Sequence, residues 1–232
     1  MRRDDPDNID LSGAAPLPAS ALDVVAALDP LLTDARRTRI SQVLAARSRS
    51  VTAVLDGLLD PHNVSAVLRS ADAMGVEHVH LIERPERFRV SPRVSQGAYR
   101  WVHVTLHQSE RACVSALRAS GHRIFVATMD GEVRPEALAA EPRPALVFGN
   151  EHAGVSDCLR ELADGTFSIP MCGFVQSLNV SVAAAISLYA AMQGRQGDLE
   201  EGAALDLRAR YCVQSVPMAE AIVAEYLRRQ GR

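Results

Sequence analysis

The sequence predicts an α/β fold, a parallel sheet with helices on both faces. Three observations carry this. Short strand-like runs such as Val79–Ile82 and the wholly apolar Ala145–Phe148 alternate with helical segments at short spacing, the pattern of a parallel sheet covered on both faces. Gly75 and Gly121 stand just past two of those helical segments, where a glycine ends a helix. At 232 residues the chain is long enough to bury roughly 70% of its unfolded surface, which suits one medium domain with extensions. In an open sheet of this kind the ligand sits at the C-terminal ends of the strands, so the strand-to-helix loops are where chemistry is expected.

Residues 1–19 are rich in Asp, Pro, Ala and Ser without a period, and read as a mobile acidic tail. Residues 20–50 read as a basic helical extension. Leu22–Leu28 makes a short helix that Pro30 breaks, and Thr33–Ala46 makes a second, with Ile40, Val43 and Leu44 opposite Arg36, Arg37 and Arg39. Residues 51–195 hold the sheet. Val51–Leu55 is a strand, a loop leads through Pro61 into a helix ending at Gly75, and Val79–Ile82 is the next strand. The irregular, arginine-rich Arg84–Arg100 reads as a long exposed loop. Trp101–Leu106 is a strand, Glu110–Ala119 a helix, and Arg123–Ala127 a strand running into Thr128–Gly131. Ala145–Phe148, a short helix over Ser156–Leu162, and Phe167–Ile169 complete the sheet region. Ile169–Leu188 then turns through Pro170 and Gly173 into a helix with almost no polar face, which must be buried on most sides. In residues 196–232, Leu205–Arg229 is mostly helical, with Ala221, Val223, Tyr226 and Leu227 on a face that packs on an appended helix or a second copy.

Composition excludes several classes. The net charge is −3, and all 25 basic side chains are arginines, so any phosphate contact would be made by planar guanidinium forks. They gather in Ala35–Arg49 and Arg84–Arg100, while acids gather in the tail and at Asp198, Glu200, Glu201 and Asp206. Cys113, Cys158, Cys172 and Cys212 show no C-x-x-C spacing and read as reduced thiols of a cytosolic protein. His103 and His107 are the one histidine pair at ligand-like spacing, no third ligand accompanies them, and no metal is expected. No apolar run suits a membrane span or a signal peptide, so a soluble intracellular protein is expected.

Three segments carry candidate chemistry. Gly149-Asn150-Glu151-His152-Ala153-Gly154-Val155-Ser156 has the frame of a phosphate-binding loop, but Val155 stands at the lysine position and Glu151 faces inward, which excludes a triphosphate. A neutral or cationic ligand held by backbone groups suits it better. Asn63 and Arg69 on one regular helix would point about 120° apart, so both reach one site only if Asn63 lies at or before the first turn. An Asn cap and a surface arginine would look the same. Gln176, Ser177 and Asn179 place three uncharged hydrogen-bonding side chains at a strand-to-helix junction, and Ser177 as the cap of a core helix would explain them too.

Taken together, N-V-S-A-V-L-R (Asn63–Arg69), L-V-F-G-N-E-H-A-G-V-S (Leu146–Ser156) and I-P-M-C-G-F-V-Q-S-L-N-V-S-V-A-A-A (Ile169–Ala185) closely resemble, in this order, the three motifs of the SpoU/TrmH family of RNA ribose 2′-O-methyltransferases. The resemblance spans roughly residues 51–193. Asp60–Val76 and Tyr99–Val102 look most like the TrmH branch, whose members methylate a D-loop guanosine of tRNA, position 18; Arg100 stands where that branch usually has lysine. The resemblance implies a SPOUT fold with a deep C-terminal trefoil knot, a homodimer, and S-adenosylmethionine bound by three loops: Thr128–Gly131, Phe148–Gly154 and Ile169–Leu178. The cofactor contacts it implies are Thr128, Phe148, Gly149, Asn150, Glu151, Gly154, Ile169, Met171, Ser177 and Leu178. Its catalytic residues are Arg69, Asn63, Glu151, Ser177 and Asn179, although a guanidinium gives up a proton reluctantly and Arg69 suits the hydrogen bonding of a developing alkoxide as well as it suits a base. Arg36, Arg37, Arg39, Arg93 and Arg100 are the expected RNA contacts, made through phosphate. Ribosomal RNA as substrate, or an idle RNA-binding dimer, stay open at this point.

Overall fold

The structure is a computed structural model that describes residues 16–58, 60–82 and 97–231. Most of the expected acidic tail and most of the Arg84–Arg100 loop, Arg93 included, lie outside the described residues. The chain divides into two compact units, residues 49–195 and residues 16–48 with 196–231.

The first unit is the sheet. Six strands, β1 (Ser48–Asp56), β2 (Val76–Ile82), β3 (His103–His107), β4 (Arg123–Ala127), β5 (Pro144–Gly149) and β6 (Gly165–Phe167), lie in the order β3-β2-β1-β5-β4-β6. The pairings β1/β5, β2/β3, β4/β5 and β4/β6 are all parallel. Alternation sorts the side chains. Val51, Ala53, Leu55, Val79, Leu81, Phe125, Leu146 and Phe148 form one apolar face under α3 (Pro61–Met74) and α6 (Val180–Met192). Val54, Ile82, Ile124, Val126, Ala145 and Val147 form the other, under α4 (Glu110–Ala119) and α5 (Asp157–Leu162). Helices therefore cover both faces, as predicted.

Several boundaries differ from the sequence prediction. The strand expected over Phe167–Ile169 is Gly165–Phe167, because its ladder with β4 ends at Ala127–Phe167. The strand expected from Trp101 begins at His103, since Ala98–Arg100 winds into a 3₁₀ turn capped by Trp101. The cap of α6 is Asn179, whose side chain accepts from the Ser181 amide, and not Ser177. Nor is α6 buried on most sides. Ala184, Ser187, Leu188, Ala190 and Ala191 are buried, but Val182, Ile186 and Tyr189 form an exposed apolar stripe at helical spacing.

On β2 and β3 the face toward α4 is polar. His78 and His80 stack at 4.0 Å between ring centroids, and His80 Nδ1 lies 2.8 Å from His107 Nε2. Parallel register puts Ile82 opposite His107 and His78 opposite His103. The histidine pair that sequence spacing singled out is thereby separated: His103 meets His78 and Thr105, while His107 meets His80. Burial, reinforced by neighbouring rings, pushes His80 down to about 3 and His78 further still.

The second unit joins the two ends of the chain. α1 (Ala21–Leu28) packs against α7 (Glu201–Ser215) and α8 (Ala219–Arg229), and α2 (Asp34–Ala46) packs against α7. Val24, Leu28, Ile40, Leu207, Tyr211 and Val223 are buried, whereas Ala221 is exposed. Gly197 is required there, since a Cβ would stand 2.0 Å from the Ala45 carbonyl oxygen. The basic segment of α2 and the acidic residues Asp198, Glu200, Glu201 and Asp206 are thus folded into one unit. No helix among the described residues is long and apolar enough to cross a membrane.

Candidate functional site

The C-terminal ends of β1 and β5 are neighbours, with Asp56 opposite Gly149 in the ladder. Two side chains sew their loops together. The buried Asp56 carboxylate accepts from the Ser156 amide at 2.8 Å, and Asn150 Nδ2 donates to the Gly57 carbonyl at 2.8 Å. Asn150 also folds the loop on itself, because its Oδ1 accepts from the amides of His152 at 2.8 Å and Ala153 at 3.1 Å. Its backbone bridges to Gly154, which sits at φ 69°. A Cβ at Gly149 would stand 2.1 Å from the Gly154 carbonyl carbon, so only glycine lets these two backbones meet. Val155, at the position a phosphate loop would give to lysine, is buried in the core.

That fold presents Glu151 outward toward α3. Asp60 caps α3 and Pro61 opens it, which places Asn63 inside the first turn and buries it. Asn63 Nδ2 donates to Glu151 Oε1 at 2.5 Å, and Asn63 Oδ1 accepts from Asn179 Nδ2 at 3.0 Å. Asn179 Oδ1 in turn accepts from the Ser181 amide at 2.9 Å and the Ser181 hydroxyl at 2.6 Å. Each amide donates one way and accepts the other, so a single directional chain runs from Ser181 to the Glu151 carboxylate and ties all three motif segments together.

The third loop leaves β4. The Thr128 amide donates to the Phe167 carbonyl at 2.9 Å, while Thr128 Oγ1 is buried and without a hydrogen-bond partner among the described residues. Gly131 passes against the β6 backbone so closely that a Cβ would stand 2.1 Å from the Phe167 carbonyl carbon. Ser168 locks this crossing by donating to the Gly131 carbonyl oxygen.

The expected site residues are therefore not treated alike. Asn63, Glu151 and Asn179 are joined directly, whereas Gly149, Asn150 and Gly154 shape the loop. Phe148 is core, and its ring meets Phe167 edge-on at 6.0 Å. Ile169, Met171 and Leu178 are half-buried, and Ser177 is exposed and joins no hydrogen bond among the described residues. Arg69 is exposed on α3, and among the described residues it makes no hydrogen bond or ion pair. Of the expected RNA contacts, Arg36 and Arg39 are exposed on α2, and Arg100 is exposed and donates to Tyr99. Arg37 is tied down instead, with its guanidinium 3.4 Å from Asp29 and donating to the Leu32 carbonyl. The sequence reading missed Asp56 and Ser181. An aspartate directly after an apolar strand was a usable sign of the first, while the second shows only once Asn179 is known to be the cap.

A sequence model described as the SpoU rRNA methylase family matches residues 50–189, more than half of the chain. A tRNA (guanosine(18)-2′-O)-methyltransferase of Thermus thermophilus is 37% identical over 164 residues, covering 70% of this chain and 84% of the relative. The solved TrmH/SpoU tRNA modifying enzyme of A. aeolicus superposes with a TM-score of 0.71 at 27% identity, over 79% of this chain and 99% of the other. The SpoU methyltransferase AviRb of Streptomyces viridochromogenes, solved with AdoMet, gives a TM-score of 0.57 at 28% identity over 66% of this chain and 63% of that one. With its motif loops joined at the C-terminal ends of a six-stranded parallel sheet, the chain belongs to the SpoU methylase family.

Proposed function

We propose that this protein transfers a methyl group from S-adenosylmethionine to the ribose 2′-oxygen of guanosine 18 in the D-loop of tRNA. The observation that carries the reading is the hydrogen-bonded chain Asn179–Asn63–Glu151, one residue from each motif, whose middle member lies on the helix that offers Arg69 without a partner among the described residues. The named activity of the Thermus relative supplies the substrate.

The loops suit the methyl donor. Thr128 Oγ1 has an unmet hydrogen bond, Gly149 and Gly131 allow close backbone approach, and the Glu151 carboxylate favours a sulfonium cation as it would disfavour a phosphate. Thr128, the Gly149–Gly154 loop and Ile169, Met171, Ser177 and Leu178 would hold the cofactor, which when bound supplies an activated methyl group. The protein's contribution is positioning. Asn63 holds the Glu151 carboxylate in one place, Asn179 holds Asn63, and the dipole of α6 begins at that point. Arg69 donates to the 2′-oxygen as its proton passes to solvent water, and to the adjoining phosphate, which stabilises the developing charge without requiring a guanidinium to act as base. Arg36, Arg39, Arg93 and Arg100 contact tRNA phosphates.

Two features of the family belong to the same proposal. β6 runs beside β4, yet the helix that follows packs on α3, so residues 168–179 cross back over the sheet ends; threading that crossing through the loop after β4 makes the trefoil knot. The stripe Val182, Ile186 and Tyr189 seats a second copy of the chain in a homodimer. A tRNA substrate places the work in the cytoplasm. The test is methyl transfer from radiolabelled S-adenosylmethionine to unmodified tRNA transcripts and to ribosomal RNA, with Arg69→Ala alongside. Label mapping to the ribose of guanosine 18, and lost in the variant, is expected; label confined to ribosomal RNA would discard the substrate and keep the reaction.

A further inference from the structure

The polar face of β2 and β3 lies under α4, and neither the motif loops nor the hydrogen-bond chain uses it. Cys113, on the buried side of α4, faces the His80–His107 pair. One ligand atom from each of His80, His107 and Cys113 lies within 4.8 Å of the other two, and all three residues are buried. We propose that His80, His107 and Cys113 form a binding site for a thiophilic divalent cation of the zinc type, closed over by α4.

Two imidazoles and a thiolate are the donor set of zinc and cobalt(II) rather than of magnesium or calcium. Metal–nitrogen and metal–sulfur bonds of about 2.0 and 2.3 Å set tetrahedral donors roughly 3.3–3.6 Å apart. The two ring nitrogens, now 2.8 Å apart across a shared proton, need to open by only about half an ångström. The rings are neutral, as ligands must be, because burial disfavours their protonated forms. The thiol is the group that changes. Burial and the nearby Asp56 carboxylate hold Cys113 up to about 12, so binding replaces its proton with the metal and releases that proton to solvent, while the proton shared by the histidines moves to a ring nitrogen outside the site. The product carries a net single positive charge, which Asp56 opposes. Three protein ligands leave one position for water. No C-x-x-C pair marks the site, and the H-x-x-x-H pair His103 and His107 supplies only His107 to it, because the ligands come from two strands and a helix and meet only through the β2/β3 register.

The full-length protein, stripped with a chelator, is titrated with cobalt(II) alone and followed for thiolate-to-cobalt charge transfer, with zinc content of the freshly purified protein measured by mass spectrometry. A charge-transfer band that saturates at one equivalent, is displaced by zinc, and releases one proton is expected. Cys113→Ala and His107→Asn, each with wild-type circular dichroism, should lose the band, and Cys172→Ala and His103→Gln should keep it. A wild-type protein without the band, or a band that survives in folded Cys113→Ala, overturns the site. The wild-type arm alone decides if neither ligand variant folds.

Discussion

The two compact units spend their arginines differently. In the sheet unit, Arg49 pairs with the buried Glu77 at 3.0 Å, Arg123 with Glu141 at 2.7 Å, and Arg195 gathers Ser50 and the carbonyls of Leu138, Ala139, Glu141 and Pro142. Arg69, the last residue of its motif, is left without such a partner among the described residues. In the helical unit, Arg37 and Arg208 share Asp29, and Arg47 is wholly buried against Tyr211, so that Arg36 and Arg39 remain outward. With no lysine in the chain, residue type says nothing about which cations meet RNA. Partnership does, because a guanidinium already satisfied by carboxylates and carbonyls has few donors left for phosphate.

The sharpest test of this contrast is Arg69→Ala. It should lower kcat by about 10²–10³-fold, the cost of losing one donor to a developing oxyanion, with the melting temperature unchanged because that side chain is exposed and makes no hydrogen bond or ion pair among the described residues. Single-turnover kinetics with saturating tRNA reads the effect directly, and a variant that turns over normally breaks the assignment. Next in size is Asn63→Ala. It frees Glu151 on one side and Asn179 on the other, and a loss of about 1–3 kcal/mol in positioning corresponds to roughly 5- to 150-fold in kcat/KM. Asn179→Ala should give much the same loss and the double variant little more, since both cut one chain. Additive losses would mean that the two asparagines act separately.

Much of the sheet unit was legible because its information is local. Fully apolar runs, Gly75 at φ 81° and the alternation of strands and helices each follow from short-range rules. What escaped depends on pairing across the chain. Asn179 and Ser177 are equally good caps on paper, and the choice is made where Asn179 finds Asn63, 116 residues earlier. The exposed stripe on α6 was unreadable as well, because a fully apolar helix looks the same whether its last face meets its own core or another copy. The histidines under α4 belong to the same class: each is ordinary in its strand, and only the parallel register brings His80 to His107. At the site, residue types were readable and roles were not. Asn150 looks like a ligand residue in the motif, but its side chain is consumed by Gly57, His152 and Ala153.

In the helical unit the expected effects are smaller. Arg36→Glu with Arg39→Glu should raise KM for tRNA several-fold, leave kcat within about twofold, and reduce the slope of log affinity against log salt by about one for each phosphate no longer neutralised. Arg37→Glu measures something else, because it breaks the link to Asp29 and the Leu32 carbonyl; it should lower the melting temperature before it changes RNA affinity. If all three reversals weaken RNA binding equally and leave stability alone, partnership is not what sorts these arginines.

Tyr211→Phe is the smallest change and the cleanest control. The Tyr211 hydroxyl accepts from Arg47 Nε at 3.1 Å in a wholly buried setting, so its removal takes one acceptor away from a buried guanidinium. The cost should be about 1–3 kcal/mol of stability, read as a shift in the urea midpoint with the slope unchanged. Because Arg47 is wholly buried and donates to Tyr211 within the helical unit, methyl transfer to tRNA well below the melting temperature should match the wild type. A drop in kcat without a drop in stability would show that the buried arginine reaches the chemistry, and the division between structural and functional arginines would have to be drawn elsewhere.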